Sequence, residues 1–286
     1  MKKRKQAYRL DLTVCVGQSL FSGDDLVVLE RVLAEQAGPW FTGLHAWQDE
    51  KGRRELVAGS FAENVRQIAA EKGELYRQLT AKHGPGPHER RTGSIELRGG
   101  DSSLVVVIGL DDYVFAPSAG RYLWGNTITF QFCRRDCCEK SASELSRGIA
   151  EECCREMNVL YAHGHLLEEW DAKNMSRDSG MMAIGADVSR YLPGLYWLNY
   201  FGEPYCDLIG RECLLGAPAF ESKVLGNGVL MLVDEDPESW KSDGTHHFDV
   251  LSHIGDQFFF LRDNLDRQTE APSYGLKELP RIARFT

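Results

Sequence analysis

Strict alternation of apolar and polar side chains between residues 8 and 16 constrains the fold more than any other feature of the sequence. The apolar set Tyr8, Leu10, Leu12, Val14 and Val16 shares one face, and the set Arg9, Asp11, Thr13 and Cys15 shares the other. A period of two is typical of a β-strand with one face in the core and one toward solvent. The sequence therefore predicts a half-buried strand over residues 8–16.

Two capping boxes predict where helices begin. Ser22 with Asp25 precedes apolar residues at helical spacing that stop before Gly38-Pro39, and Ser141 with Glu144 precedes a second stripe of this kind. Helical spacing of apolar residues also predicts helices over 61–81 and 245–255.

Strand patterns dominate the second half of the chain. Leu104–Leu110 is typical of a fully buried strand, and residues 127–132 alternate between polar and apolar side chains. The turn sequence Gly226-Asn227-Gly228 between two apolar runs predicts a β-hairpin. Helices and strands are mixed without regular βαβ alternation, which predicts the α+β class, with mixed, mostly antiparallel sheets flanked by helices.

Gly84-Pro85-Gly86-Pro87 is the strongest break in the pattern and predicts a linker. It divides the chain into a strand–helix–helix portion, 1–85, and a main α+β portion, 92–286. One continuous domain, in which the first portion packs into the main sheet, is the alternative.

The charge balance argues against direct nucleic-acid binding. Lys and Arg number 33 and Asp and Glu number 42, for a net charge of −9 and a pI near 5.4. Four of the basic residues lie at positions 2–5, so the rest of the chain carries 29 basic and 42 acidic side chains, a net charge of −13. Such a surface repels a phosphate backbone and suits a partner with a basic site.

The sequence predicts a cytoplasmic protein without a membrane partner. No apolar stretch approaches the ~18 residues of a membrane span. The basic N-terminus is similar to the start of a signal peptide. However, Arg9 and Asp11 interrupt the apolar segment that should follow, which argues against one. Eight cysteines, among them the adjacent pairs Cys137-Cys138 and Cys153-Cys154, fit reduced thiols better than a disulfide framework.

Signatures of catalysis are absent: the sequence has no nucleophile elbow, no Walker loop, no dinucleotide fingerprint and no H-E-x-x-H. We therefore expect a protein that is not an enzyme and that binds no cofactor and no metal ion. The alternative is a cysteine- or zinc-dependent enzyme that uses Cys133, Cys137 or Cys138 with a histidine such as His163.

Two short patterns are weak indications of a metal-binding or catalytic site. His163-x-His165 would place two imidazoles on one strand face, and exposed or capping histidines are the commoner explanation. Glu221-x-Lys223 is similar to an element of metal-dependent nucleases. That tripeptide is common, and the acidic balance opposes DNA binding.

Two segments are candidates for an interaction surface. A compact acidic group follows the second hairpin strand: Asp234, Glu235, Asp236 and Glu238. It could enter a basic cleft of a partner, and a solvated loop is the simpler alternative. The aromatic run that starts at Pro193-Gly194 is apolar on both faces, which favours a place in the core over a binding hot spot.

The aromatic run resembles the signature segment of the type VI secretion immunity family. The residues that carry the resemblance are Gly194, Leu195, Tyr196, Trp197, Leu198, Asn199, Tyr200, Phe201 and Gly202, then Tyr205, Ile209, Gly210, Arg211 and Glu212. The layout over residues 8 to about 265 is also similar to the immunity protein 52 family of polymorphic toxin systems.

This resemblance implies a cytoplasmic antidote that binds a co-encoded antibacterial effector and blocks it. Effectors paired with the family include nucleases of the restriction-endonuclease-like fold, so the partner is expected to be a DNase whose DNA-binding site is occluded. The family contributes no catalytic residues, and its signature residues are expected to be structural. The four acidic residues at 234–238 are the predicted effector-binding residues.

Overall fold

A computed structural model describes residues 8–17, 20, 24–37, 46–49, 52–55, 70–71, 74, 78, 81–82, 92–98, 103–111, 115–116, 121–122, 126–137, 140–174, 192–241 and 244–259. Its strands are β1 (Leu10–Val16), β2 (Ala46–Asp49), β3 (Gly52–Glu55), β4 (Thr92–Arg98), β5 (Leu104–Asp111), β6 (Phe115–Ala116), β7 (Arg121–Tyr122), β8 (Asn126–Phe132), β9 (Asp136–Cys137), β10 (Lys140–Ser141), β11 (Val159–Leu166), β12 (Leu198–Phe201), β13 (Glu221–Leu225) and β14 (Gly228–Leu232). Its α-helices are α1 (Asp24–Ala37), α2 (Ala142–Glu156), α3 (Leu167–Asn174), α4 (Glu203–Ile209), α5 (Arg211–Leu215) and α6 (Gly244–Ile254).

Ten strands form one antiparallel sheet in the order β13-β14-β12-β11-β1-β8-β5-β4-β2-β3. The remaining strands form two small pairs, β9 with β10 and β6 with β7. The predicted α+β class with a mostly antiparallel sheet is confirmed.

Helices cover both faces of the sheet. On one face, α1 and α2 pack against β1, β8 and β5 in one buried core, which contains Leu29, Ile149, Leu12, Phe130 and Val106. On the other face, a second core joins β11, β12 and β14 to α4, α5 and α6. None of the described helices combines the length and apolarity that a bilayer crossing requires.

The prediction that the first strand is half-buried was wrong. β1 lies in the middle of the sheet, between β8 and β11, and only Thr13 among its residues is partly exposed. Its polar face is buried as well: Cys15 is inaccessible and Asp11 is 5% exposed. The Asp11 carboxylate accepts two hydrogen bonds from the guanidinium of Arg9, at 2.8 and 2.6 Å, and these offset part of the cost of its burial.

The local signals for α2 and for the hairpin are confirmed. Ser141 Oγ accepts from Glu144 N at 3.2 Å, and Glu144 Oε2 accepts from Ser141 N at 2.8 Å, which completes the capping box. β13 and β14 are joined by the two-residue turn Gly226-Asn227, and Gly226 has a φ of +56° that favours glycine.

Other predictions fall partly or wholly outside the described residues. α1 begins at Asp24, while its predicted cap Ser22 is not described. Six residues of the predicted helix at 61–81 and just beyond it are described, and all six are helical. The linker at 84–87 lies outside the described residues, and the division into two portions stays a prediction.

Replacing Gly202 by Ala should destabilise the protein by about 1–3 kcal/mol, because the site has no room for a side chain. A Cβ at this position would lie 2.4 Å from the carbonyl oxygen of Val159 and 2.7 Å from that of Leu160. Gly148→Ala is the control: its Cβ would meet only the tip of the Gln36 side chain, at 3.2 Å, and alanine favours the helix. Urea denaturation of both variants measures the difference, and equal midpoints would contradict the steric argument.

Candidate protein-binding surface

The acidic loop, residues 234–238, is tied to the protein at both ends and exposed at Glu235 and Asp236. Asp234 contacts two histidines at the start of α6: its Oδ1 lies 2.7 Å from His246 Nδ1, and its Oδ2 lies 2.7 Å from His247 Nε2. Glu238 forms an ion pair with Arg135. The predicted binding residues therefore divide into two partly buried carboxylates that hold the loop and two exposed ones, Glu235 and Asp236.

A side-chain contact within the loop fixes its shape further. Asp236 Oδ1 accepts a hydrogen bond from the backbone N–H of Glu238 at 2.7 Å, and the Asp236 carbonyl accepts from Ser239 N at 3.1 Å. Asx turns of this kind order a loop before any partner arrives. The exposed carboxylates are thus presented from a preorganised backbone.

The pKa values of the two histidines that contact Asp234 are shifted in opposite directions. His246 faces an acceptor at each ring nitrogen, Asp234 and the carbonyl of Pro218 at 2.7 Å, and these contacts raise its pKa. Burial lowers the pKa of His247 to about 4, and Lys173 acts in the same direction. At neutral pH, Asp234 thus faces one imidazole that favours the charged form and one that stays neutral.

A charged cleft of about 100 Å³ adjoins the acidic loop at Glu238. Its lining includes Tyr8, Arg135, Glu168 and Lys241, and the last two form an ion pair. The Arg135 guanidinium lies 5.3 Å from the centre of the Tyr8 ring, a cation–π distance. Tyr and Arg are the residue types that anchor protein interfaces.

The pKa of Tyr8 depends on charged residues of both the cleft and the acidic loop. Burial raises the pKa of Tyr8 to about 12, against a lowering by Arg135, and Glu238, Asp236 and Asp136 raise it further. The cleft has no signal in the sequence, because its residues come from separate segments and no local pattern brings them together.

The signature residues up to Tyr205 lie in the interior, whereas those at 209–211 are partly buried and Glu212 is exposed. Those that are buried or closely packed are Gly194, Tyr196, Trp197, Asn199, Tyr200, Phe201, Gly202 and Tyr205. Gly210 separates α4 from α5 with a φ of +102°, and Arg211 donates to the carbonyl of Asn227 at 2.8 Å, which ties α5 to the hairpin turn. These contacts hold the fold together and leave little of the segment for a partner.

His163 and His165 lie on one face of β11, as their spacing indicated. Their Nδ1 atoms are 3.1 Å apart, and the His163 ring stacks on Trp170 and Tyr196. Burial lowers the pKa of His163 to about 3. The rings are therefore neutral parts of a buried aromatic cluster rather than exposed or capping groups.

The structure does not bring Cys133 and His163 together. Thr13 of β1 lies opposite Thr129 on β8 and opposite His163 on β11. Cys133 is four residues beyond Thr129, so two strand spacings and four residue rises separate it from His163, about 17 Å. The side chains of Cys137 and Cys138 lie outside the described residues, and among those described no three His, Cys, Asp or Glu side chains are placed to hold a metal ion.

Glu221 and Lys223 form part of an ion-pair network with α2. Lys223 Nζ lies 2.8 Å from Glu221 Oε1 and 2.9 Å from Glu151 Oε1. Arg147 pairs with the same two carboxylates, at 2.8 Å to Glu221 and 2.9 Å to Glu151. Every charge of the tripeptide thus has a protein partner of opposite sign.

Comparison with known proteins finds similarity to a solved structure and to no catalogued family. No family model and no curated protein matches the chain. Among solved structures, the chain is similar to a Pseudomonas aeruginosa T6SS protein with a TM-score of 0.47 and 10% sequence identity, over 89% of this chain and 73% of that one.

Proposed function

We propose that this protein is a cytoplasmic immunity protein that binds a cognate type VI secretion effector and blocks it. The expected effector is a DNase of the restriction-endonuclease-like fold, and the expected mode of action is occlusion of its DNA-binding site. The observation that carries the proposal is the preorganised acidic loop, which presents Glu235 and Asp236 beside a cleft that contains Tyr8 and Arg135.

This arrangement supplies two properties that an inhibitor of a DNA-binding protein needs. Exposed carboxylates on an acidic body speed the encounter with a positive groove. Tight binding also needs aromatic or Arg anchors, and the half-buried Tyr8 and the exposed Arg135 lie next to the loop. Because the loop is held by Asp234 and Glu238, little conformational entropy is lost on binding.

The primary test is co-expression and pull-down with the product of the neighbouring open reading frame. A stoichiometric complex and restored growth of cells that make both proteins are expected. Absence of a complex, or undiminished toxicity, would overturn the proposal. The same assay with DNA as competitor tests the mode of inhibition, because occlusion predicts that effector and DNA compete.

Removing the negative charge of both exposed carboxylates should slow association without unfolding the protein. We expect Glu235→Lys with Asp236→Asn to lower the association rate constant about tenfold at low salt and to weaken its salt dependence. Asparagine at 236 keeps the Oδ1 acceptor that receives the backbone N–H of Glu238. Asp234 and Glu238 stay unchanged, since they hold the loop. Surface plasmon resonance at several salt concentrations gives the rates.

The matched control is Asp207→Lys with Glu212→Gln, which changes the net charge equally. Both carboxylates are exposed, on α4 and α5, and α5 lies beside the hairpin turn at the opposite end of β14 from the acidic loop. Equal slowing by both pairs would assign the effect to net charge and exclude the loop as the docking site.

A further inference from the structure

β13 is the outermost strand at one end of the ten-stranded sheet, and exposed apolar side chains lie two residues before and two residues after Ser222. Phe220, which directly precedes the strand, is 53% exposed, and Val224 is 55% exposed. In an antiparallel strand every second residue turns its backbone N–H and C=O to the same side. One set therefore points away from β14, and an edge of this kind is a template for another strand.

Residues 220–224 read Phe-Glu-Ser-Lys-Val, a sequence that is complementary to itself in an antiparallel pair. With Ser222 opposite Ser222 of a second copy, Glu221 of each chain faces Lys223 of the other. The same register places Phe220 opposite Val224. By two-fold symmetry each of these pairs occurs twice, and opposite-charge and aromatic–β-branched pairs are those that stabilise neighbouring strands.

The two faces of the strand support the same register. Ser222 and Val224 lie opposite Met231 and Val229 of β14, on the face covered by α4, α5 and α6, so the apolar pairs would form there. Glu221 and Lys223 lie on the face covered by α2, so the charged pairs would form on the other side.

Charge also favours a second copy at this edge over a strongly charged partner. The ion-pair network of Arg147, Glu151, Glu221 and Lys223 contains two cations and two carboxylates. The edge is therefore locally neutral in a chain of net charge −9, and two copies approach there without the repulsion that their acidic bodies produce elsewhere.

We propose that β13 pairs with β13 of a second copy of this chain, in the register centred on Ser222, and that this pairing joins two sheets into one symmetric dimer. The inference does not depend on the proposed inhibition of an effector, and it is tested without one.

Sedimentation velocity of the full chain over a concentration series tests the dimer. The expected species has twice the 32.2 kDa mass of one chain. In the proposed register, Lys223→Glu places a negative charge opposite Glu221 of the other copy, at two symmetric positions. This repulsion should weaken association at least about tenfold. The double variant Glu221→Lys with Lys223→Glu restores opposite charges and should recover most of the association.

Val27→Lys is the control, because Val27 is 49% exposed on α1 and should leave the dimer unchanged. Circular dichroism verifies that each variant is folded. A monomer at every concentration overturns the proposal, and so does a dimer that Lys223→Glu does not weaken.

Cross-linking tests the register separately. A mixture of the single variants Phe220→Cys and Val224→Cys, oxidised mildly and digested, should yield a peptide that links position 220 to position 224. Mass spectrometry identifies the linked pair in the presence of the native thiols. A dimer that yields 220–220 links instead, or no 220–224 link, overturns the proposed register.

Discussion

Acidification from about pH 7 to about pH 4 should destabilise the protein by about 3 kcal/mol through His163 alone. Burial lowers the pKa of His163 from 6.5 to about 3. At pH values between these two, the unfolded chain binds a proton that the folded chain excludes. The loss of stability therefore begins as pH falls below about 6.5 and is complete near pH 3.

Two neighbours of His163 also make stability depend on pH, and they act in opposite directions. The pKa of His165 is also lowered, by burial first and then by His163, Lys173 and Arg9, so it destabilises the fold in the same direction. Burial raises the pKa of Glu169 against the influence of Lys173. Glu169 therefore takes up a proton in the folded state at a higher pH than in the unfolded state and opposes part of the loss.

Urea denaturation at a series of pH values measures the effect. The double variant His163→Gln with His165→Gln should be less stable at neutral pH and should show a flatter pH dependence of the unfolding free energy below pH 6.5. His246→Gln is the control, because its pKa is raised by Asp234, so its stabilisation is present at low pH and lost as pH rises. A pH dependence of the double variant equal to that of the native protein would contradict the assignment.

Local signals in the sequence predicted individual elements well, because their physical causes are local. The alternation at 127–132 gives β8 its regular change between buried and partly exposed residues. The capping box at Ser141 and Glu144 satisfies backbone groups three residues apart, and the hairpin depends on its own turn. Each of these depends on residues close together in the chain.

The same reasoning failed where distant segments decide the outcome. Alternation at 8–16 indicated which side chains share a face of β1, but the burial of its second face depends on strands that follow more than a hundred residues later. The acidic group at 234–238 was predicted from composition. The pairing of Glu238 with Arg135 spans 103 positions, and no pattern in either segment reveals it.

Replacing Asn199 by Ala should cost about 3 kcal/mol or more, because the buried N–H and C=O of Tyr196 lose their partner together. Asn199 is inaccessible to solvent. Its Oδ1 accepts from Tyr196 N at 3.1 Å and from Tyr161 Oη at 3.3 Å, and its Nδ2 donates to the Tyr196 carbonyl at 2.6 Å. One side chain thus fixes the backbone that leads into β12.

Thermal and urea unfolding measure this loss, and Tyr161→Phe is the comparison variant. Removing the Tyr161 hydroxyl deletes one hydrogen-bond donor and leaves both contacts of Asn199 with Tyr196, so a cost of about 1 kcal/mol is expected. An unchanged unfolding midpoint for Asn199→Ala would contradict the argument.

The Asn199 variant also separates a structural role of the signature segment from a binding role. If the segment supports the fold only, the folded fraction of Asn199→Ala should bind the effector with the association rate of the native protein. In contrast, Glu235→Lys with Asp236→Asn should change that rate and leave the unfolding midpoint nearly unchanged. A variant in the buried segment that is fully stable and fails to bind would place the interface at 194–212 and remove the acidic loop from the proposed mechanism.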